Sequence, residues 1–420
     1  MGFISSIFKY KDLQRRLLYS LVMLVIYRLG SHIPISGIDL SDLSNLVSSN
    51  SLISFIDLFS GGSFSRFSIF SLGILPYINA SIIMQLMSFV IPELKSILEE
   101  GEAGRKKISQ LTRYITVLLA IIQAIVITLG FKTFLLPNVS FPFFFVYSMV
   151  GLVAGACLVM YIGELMTENG IGNGASLLIF IGIISQMPFY VKNSIGLIQA
   201  GTHPISVVIM VIILIFMIFS IVIIQEAQRK IGVQYAKRVV GRKMYGGQST
   251  FIPLRLIQGG VLPIIFASAL LQFPLVISNF IPIEAIQTFF SKYYSYDGFL
   301  YNGMFCFLIF FFTYFYTAIS FSPSELSTNI KKYGGFIMGV RPGKPTEKFL
   351  EAIVTKLTFF GAFFLSLIAL LPIIGAASTN VNSFMGLGGT ALLIIVGVSL
   401  DLLKQIDSFI LQKEYEGMVS

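Results

Sequence analysis

The chain has 420 residues, 55% of them hydrophobic and 12% charged, with a mean hydropathy of +0.85. So few charges cannot clothe a surface in water, which excludes a soluble globular protein and leaves a polytopic membrane protein. The formal net charge of +9 reflects an excess of Lys and Arg, whose distribution among the loops, below, predicts which face meets the cytoplasm.

The first sixteen residues, MGFISSIFKYKDLQRR, with LLYSLVMLVIY after them, share the basic and apolar parts of a secretory signal. No small-residue cleavage site follows and further apolar stretches do, so this is read as a retained first span. Apolar windows long enough for a helix to cross ~30 Å of hydrocarbon fall near 17–35, 73–91, 114–131, 143–166, 175–191, 204–225, 259–280, 299–321, 355–375 and 385–403. They predict ten spans, the fifth short and rich in Gly. Between the first two lies FSGGSFSRFSIFSLGI (59–74), too apolar for a solvated loop, yet too polar and too broken by Gly61, Gly62 and Arg66 for lipid.

Most Lys and Arg residues precede the first span, lie between the second and third, follow the sixth and eighth, or end the chain. A ten-span topology puts all these groups on one face. That face is cytoplasmic by the positive-inside rule, with both termini and the large loops at about 226–258 and 322–354. Five spans fall in 1–200 and five in 201–420; an odd number per half means that two halves of shared fold are inverted relative to each other.

Little chemistry is present. Arg28, Glu164 and Glu168 lie near span ends and are expected to reach an interface by snorkelling. Cys157 and Cys306 are read as buried small hydrophobes, and the distant His32 and His203 as no metal site. No HExxH motif occurs, GKPT (343–346) lacks the upstream glycine of a phosphate loop, and Ser176 has no neighbouring His to serve as its base. These absences argue against an enzyme and a cofactor. Gly170, Gly172, Gly174, Gly386, Gly388 and Gly389 open the fifth and tenth spans, where they permit turns and close backbone approach. A channel, a secondary transporter for a small solute and an insertase without a pore remain, the transporter disfavoured by the lack of charge at mid-membrane.

The blocks LFSGGSFSRFSIFSLGILPYINASIIMQL, EEGEAGRKKISQLTRY, GELMTENGIGNGASLLIF, YAKRVVGRKMYGGQST, GGVLPIIFAS, SELSTNIKKYGGFIMGVRPGKPTEKF and GGTALLI, in this order, resemble the SecY family, channel subunits of the bacterial protein-conducting translocon. The resemblance implies an all-α membrane protein: ten helices in two inverted five-helix halves around an hourglass pore. Such a channel passes unfolded preproteins outward and releases apolar segments into lipid through a lateral gate between the second and seventh spans. It also implies a re-entrant plug helix at about 57–70, carried by Asp57, Gly61, Gly62, Phe64, Arg66 and Phe67. The family's constriction falls on Ile78, Ile82, Ile179, Ile183, Ile265 and Ile394, and its gate on Gln85, Ile257, Gln258, Gly259 and Gly260. Gly259 and Gly260 are expected to allow close approach of the two gate helices. Docking of cytosolic partners falls on Lys237, Arg238, Arg242, Lys243 and Arg341. Implied partners are the small subunits SecE and SecG, the ATPase SecA, the ribosome, signal peptides, preproteins and membrane lipid. Energy comes from SecA, the ribosome or the proton-motive force, and the site of action is a bacterial inner membrane or that of an organelle. Ile257 beside Gln258 departs from the polar residue common at the start of the seventh span, and the tail after Tyr415 is short.

Overall fold

The computed structural model describes residues 10–40, 43, 57–199, 203–235, 238–240, 243–245, 249–278, 298–379 and 388–419. The expected division between halves, at 200 and 201, lies outside them.

Helices occupy every predicted window. The first half supplies α1 (Lys11–Gly30), α2 (Leu75–Val90), α3 (Pro92–Glu99), α4 (Glu102–Gly130), α5 (Phe141–Asn169) and α6 (Gly174–Gln199). After α7 (Pro204–Glu226) come strands β1 (Gln228–Tyr235), β2 (Arg238–Val240), β3 (Lys243–Tyr245) and β4 (Ser249–Arg255). The chain continues through α8 (Leu262–Ser278), α9 (Phe299–Ser320), α10 (Pro323–Lys332), β5 (Gly335–Ile337), α11 (Lys344–Thr379) and α12 (Gly389–Val419).

Among the described residues, 7 helical segments are long and apolar enough to cross a membrane unaided, or 8 when α2 and α3 count as one span bent by 104°. α1 begins with charged residues and α8 is 17 residues long, so neither meets that test alone. The helical form follows from the solvent: in hydrocarbon each backbone N–H and C=O must find its partner within the chain. α6 is longer than expected. The apolar window ends before Lys192, but the helix runs on through Pro188 and Lys192 to Gln199.

Packing uses small residues. α4 turns Gly104, Thr112, Thr116, Ala120, Ala124 and Thr128 inward, nearly all four apart, giving a thin stripe along which α2 and α5 approach. The Thr112, Thr116 and Thr128 hydroxyls donate to the carbonyls of Ile108, Thr112 and Ala124, so the stripe buries no unpaired polar group. Helices α1, α2, α4, α5 and α6 pack among themselves, as do α7, α8, α9, α11 and α12. The two sets meet on two sides, where α2 touches α8 and where α6 touches α12 and α7.

The two basic loops are more ordered than a loop reading implies. β1 pairs antiparallel with β4 over 228–234 and with β5 over 233–235, so strands from both loops share one sheet, ordered β4-β1-β5. Ile231, Val233, Leu254, Ile330, Ile337 and Leu350 form a separate core beneath it. Cys157 and Cys306 are free thiols but only half-buried, a correction to the expectation of full burial. Each lies on a long helix flanked by exposed apolar residues, Leu158 beside one and Phe307 beside the other.

Candidate functional site

Between α1 and α2, the segment 57–74 forms no spanning helix and lies among α1, α5 and α6. Its described helical part is confined to 57–60, and 61–74 is a succession of turns, so the expected re-entrant helix is corrected to a short helical end followed by a folded loop. Burial is nearly complete: Leu58, Ser60, Ser63, Phe67 and Ser68 are each 0% exposed, while Arg66 is exposed. Phe67 takes a positive φ of 44°, and its ring packs 5.2 Å from that of Phe131 and 5.9 Å from that of Phe144. Phe64 meets Phe131 at 5.4 Å. On the other side, the Phe70 ring stacks 5.8 Å from Tyr27.

Backbone of this segment approaches its neighbours without intervening side chains. A methyl group at Gly155 of α5 would strike the Ile69 carbonyl, and one at Gly61 would fall 2.9 Å from the Cα of Gly182 on α6. Asp57 organises the interior: its Oδ1 accepts the Ser65 N–H at 2.8 Å and its Oδ2 the Gln186 amide of α6 at 3.3 Å. From α1, Arg28 Nη1 donates to the Gly61 carbonyl at 2.8 Å and the Tyr27 hydroxyl to the Ser60 carbonyl at 3.3 Å. Arg28 is therefore not a residue that merely snorkels. A second correction concerns Glu164, which accepts from Arg113 Nε of α4 at 3.0 Å and is 12% exposed; Glu168 is exposed as expected.

Ile78 and Ile82 of α2, Ile179 and Ile183 of α6, Ile265 of α8 and Ile394 of α12 are all at most 6% exposed and belong to one apolar cluster. Their four helices are the ones that meet along the two contacts between the helix sets.

The gate residues are only partly brought together. Gln85 is half-buried on α2, and the α2–α8 contact exists. Gly259, however, faces Tyr316 of α9, whose ring a methyl group there would meet at 2.6 Å, and Gly260 adopts a φ of +57° with open space beside it. These glycines shape the turn that enters α8 rather than its approach to α2, which corrects the sequence reading. Ile257 is buried and lies next to Gly361 of α11, and the Gln258 amide donates to the Arg255 carbonyl at 3.3 Å.

Of the docking residues, Lys237 and Arg242 lie outside the described residues, and Arg238 and Lys243 fall on the β2–β3 pair. Arg341 is exposed in the turn before α11. That turn is pinned from beneath: the Thr346 hydroxyl donates to the Arg341 carbonyl and the Ser327 hydroxyl to the Gly343 carbonyl, both at 2.8 Å. A groove of about 330 Å³ runs beside β1 with Arg229, Lys230, Ile337, Met338 and Phe349 in its wall. Among the described residues there is no cluster of three His, Cys, Asp or Glu that could hold a metal.

Tyr27, Gln186, Gly155 and Gly182 were invisible to motif reasoning. Their partners are backbone atoms or a carboxylate distant in sequence, and the only available signals were a charge on an otherwise apolar α1 and an amide on an apolar α6.

A family model described as SecY matches residues 68–403. The protein translocase subunit SecY of Thermotoga maritima is 39% identical over 98% of this chain and 96% of its own length. Those of Synechocystis, at 43% over 97% and 94%, and of Streptomyces coelicolor, at 42% over 98% and 98%, are similar in the same way. A solved structure described as that of a protein conducting channel shares the fold, with a TM-score of 0.65 at 19% identity, covering 94% of this chain and 91% of the other. Sec61 in the canine ribosome-channel complex shares it with a TM-score of 0.61 at 18% identity, again covering 94% and 91%. On these matches, over nearly the full length and with the same fold, the chain belongs to the SecY family of protein translocase subunits.

Proposed function

We propose that the chain is the protein-conducting channel of a bacterial inner membrane, passing unfolded preproteins across it and releasing apolar segments sideways into lipid. Energy comes from outside the chain: it is a conduit and not an enzyme. The observation that carries this reading is a non-spanning segment, 57–74, buried among the helices. Irregular backbone at membrane depth is tolerated only where protein or a watery cavity surrounds it.

In this reading residues 57–70 are the plug, and Ile78, Ile82, Ile179, Ile183, Ile265 and Ile394 are the constriction. Branched apolar side chains exclude water and ions when closed and offer a sliding polypeptide no strong hydrogen bonds to break. The α2–α8 contact is the lateral gate, with Gln85 on α2 and with Ile257 and Gln258 in the connection that leads into α8, and the helix sets 1–200 and 201–420 are the two halves that part. Both termini and the β1–β5 sheet are cytoplasmic, a placement supported by the basic residues on that side. There Arg341, Arg238 and Lys243 meet SecA or ribosomal RNA phosphate, while SecE and SecG flank the helices.

Planar-bilayer conductance tests the reading. Replacing several of the six isoleucines by Ser should wet the constriction and let ions leak even with a stalled preprotein inside. Conductance equal to wild type, with and without the preprotein, would overturn it. Disulfides between cysteines placed across the α2–α8 contact should block secretion; full secretion by the locked protein would move the gate elsewhere.

A further inference from the structure

We infer that Arg28 of α1 and Gln186 of α6 form a two-point polar latch that sets how readily the segment 57–74 leaves its seat, and with it how selective the resting channel is for its substrates. The inference rests on reading that segment as the plug. Neither residue touches the translocating chain in this scheme; both are positioning residues that act through the segment.

The geometry is that of a clasp closed by two neighbouring helices, whose Arg28 and Gly182 both lie against Gly61. Arg28 Nη1 reaches the Gly61 carbonyl at 2.8 Å from α1, and the Gln186 amide reaches Asp57 Oδ2 at 3.3 Å from α6. Both grip the same short stretch, 57–61, where helical backbone gives way to turns. The two contacts are neighbours: Gly61 packs against Gly182 one turn before Gln186, and a side chain at Gly62 would collide with the Gln186 amide.

The bonds suit a latch rather than a permanent weld. Apolar packing of Phe67 and Phe70 resists any displacement, whereas a hydrogen bond in reach of water can be exchanged for one to solvent at small net cost. Arg28 is half-buried and borders an open groove lined by Leu21, Leu24, Val25, Leu29 and Ile181. When Gly61 departs, the guanidinium has room to turn toward the interface. Gln186 is neutral, so its release leaves no unpaired charge behind on α6.

The charge arrangement gives the proposal a signature that simple loss of packing lacks. Asp57 takes the Gln186 amide through one carboxylate oxygen while the other closes its own loop on Ser65. Gln186→Glu would set two carboxylates against each other, so it should open the latch further than Gln186→Leu, which only deletes the bond. Asp57→Asn should restore the contact to Gln186→Glu. Arg28→Lys, keeping a cationic donor, should retain more of the wild-type behaviour than Arg28→Met.

The test is resting conductance in planar bilayers of the full translocase, with export of a preprotein whose signal sequence is defective as a second readout. Loss of either bond should raise the open fraction, and so the leak, roughly tenfold, and increase export of the defective preprotein. The order should be Gln186→Glu above Gln186→Leu, and Arg28→Met above Arg28→Lys. In a channel lacking 57–67 none of these substitutions should add anything, since their target is gone. If that deletion raises the leak while the latch variants behave as wild type, or if the variants raise it equally in the deleted channel, the latch is wrong and the plug reading stands. If the deletion itself leaves leak and export at wild-type levels, the plug reading fails and takes the latch with it. Should Arg28→Met fail to accumulate in the membrane, the Gln186 order and its reversal by Asp57→Asn decide.

Discussion

Two parts of the chain leave the membrane helices, and they are held by opposite means. The β1–β5 unit pairs residues 228–234 of β1 with 249–255 of β4 and packs on a core around Val233 and Leu254 that Leu350, 0% exposed on the first turns of α11, completes. The segment 57–74 has no ladder beyond an isolated antiparallel bridge between Ser68 and Pro34, and no core of its own. Its Phe64 and Phe67 rings pack into a cluster supplied mostly from outside the segment, among others by Phe131 and by Phe144 of α5, and two of its carbonyls are satisfied by Arg28 and Tyr27. A unit tied by its own ladder keeps its backbone pairing when its neighbours move. A segment that borrows its core exists in its folded form only against its hosts, and so can change state when they part.

Truncating the core of the first region should give the largest effect and leave the second untouched. Leu350→Ala opens a cavity in a small core and should cost about 2–5 kcal/mol, seen as rapid limited proteolysis within 228–255. Resting conductance should stay at the wild-type value; a rise would mean that the two regions are coupled. The converse experiment is Gly155→Val on α5, where the added side chain meets the backbone of Ile69. Because backbone cannot turn aside, the seated state should lose about 1–3 kcal/mol, which conductance reports as a leak, with proteolysis of the sheet unchanged.

Smaller effects sharpen the contrast. Thr346→Ala removes the hydroxyl that pins the Arg341 carbonyl and should cost about 0.5–1.5 kcal/mol. Preprotein translocation should fall while the signal of an inserted, folded protein is kept. Charge reversal in Arg341→Glu should reduce that translocation further with no loss of thermal stability, and equal activity would remove Arg341 from the docking surface. Least of all, Arg113→Gln should cost at most about 1 kcal/mol, since the arginine of this ion pair with Glu164 is 45% exposed. A thermal shift comparable to that of Leu350→Ala would show that the pair carries more than a surface bridge does.

The helices were legible because hydrocarbon leaves a chain few choices: apolar length predicts a helix. The aromatic and glycine content of 59–74 likewise announced a segment suited to neither solvent. What holds it was not legible. Arg28 has no sequence feature pointing to the Gly61 carbonyl, because a carbonyl is present at every residue and only the fold selects one. The sheet had a signal that a hydropathy window averages away: in KIGVQY, Ile231, Val233 and Tyr235 alternate with Lys230, Gly232 and Gln234, the period of a half-buried strand. Gly259 and Gly260 mark a turn, and their neighbour proved to be Tyr316 of α9 because residue type gives the need for space but not its occupant.

The β1–β4 ladder also works as a mechanical linkage. β1 follows α7 almost without a break and β4 runs into α8 through 256–261 alone, where the Leu256 N–H is tied back to the Ala227 carbonyl at 2.9 Å. β5 adds the connection that enters α11. The near ends of α7, α8 and α11 are therefore joined through one sheet with little slack between them, so a displacement of the sheet has short, hydrogen-bonded paths into three helices of the second set.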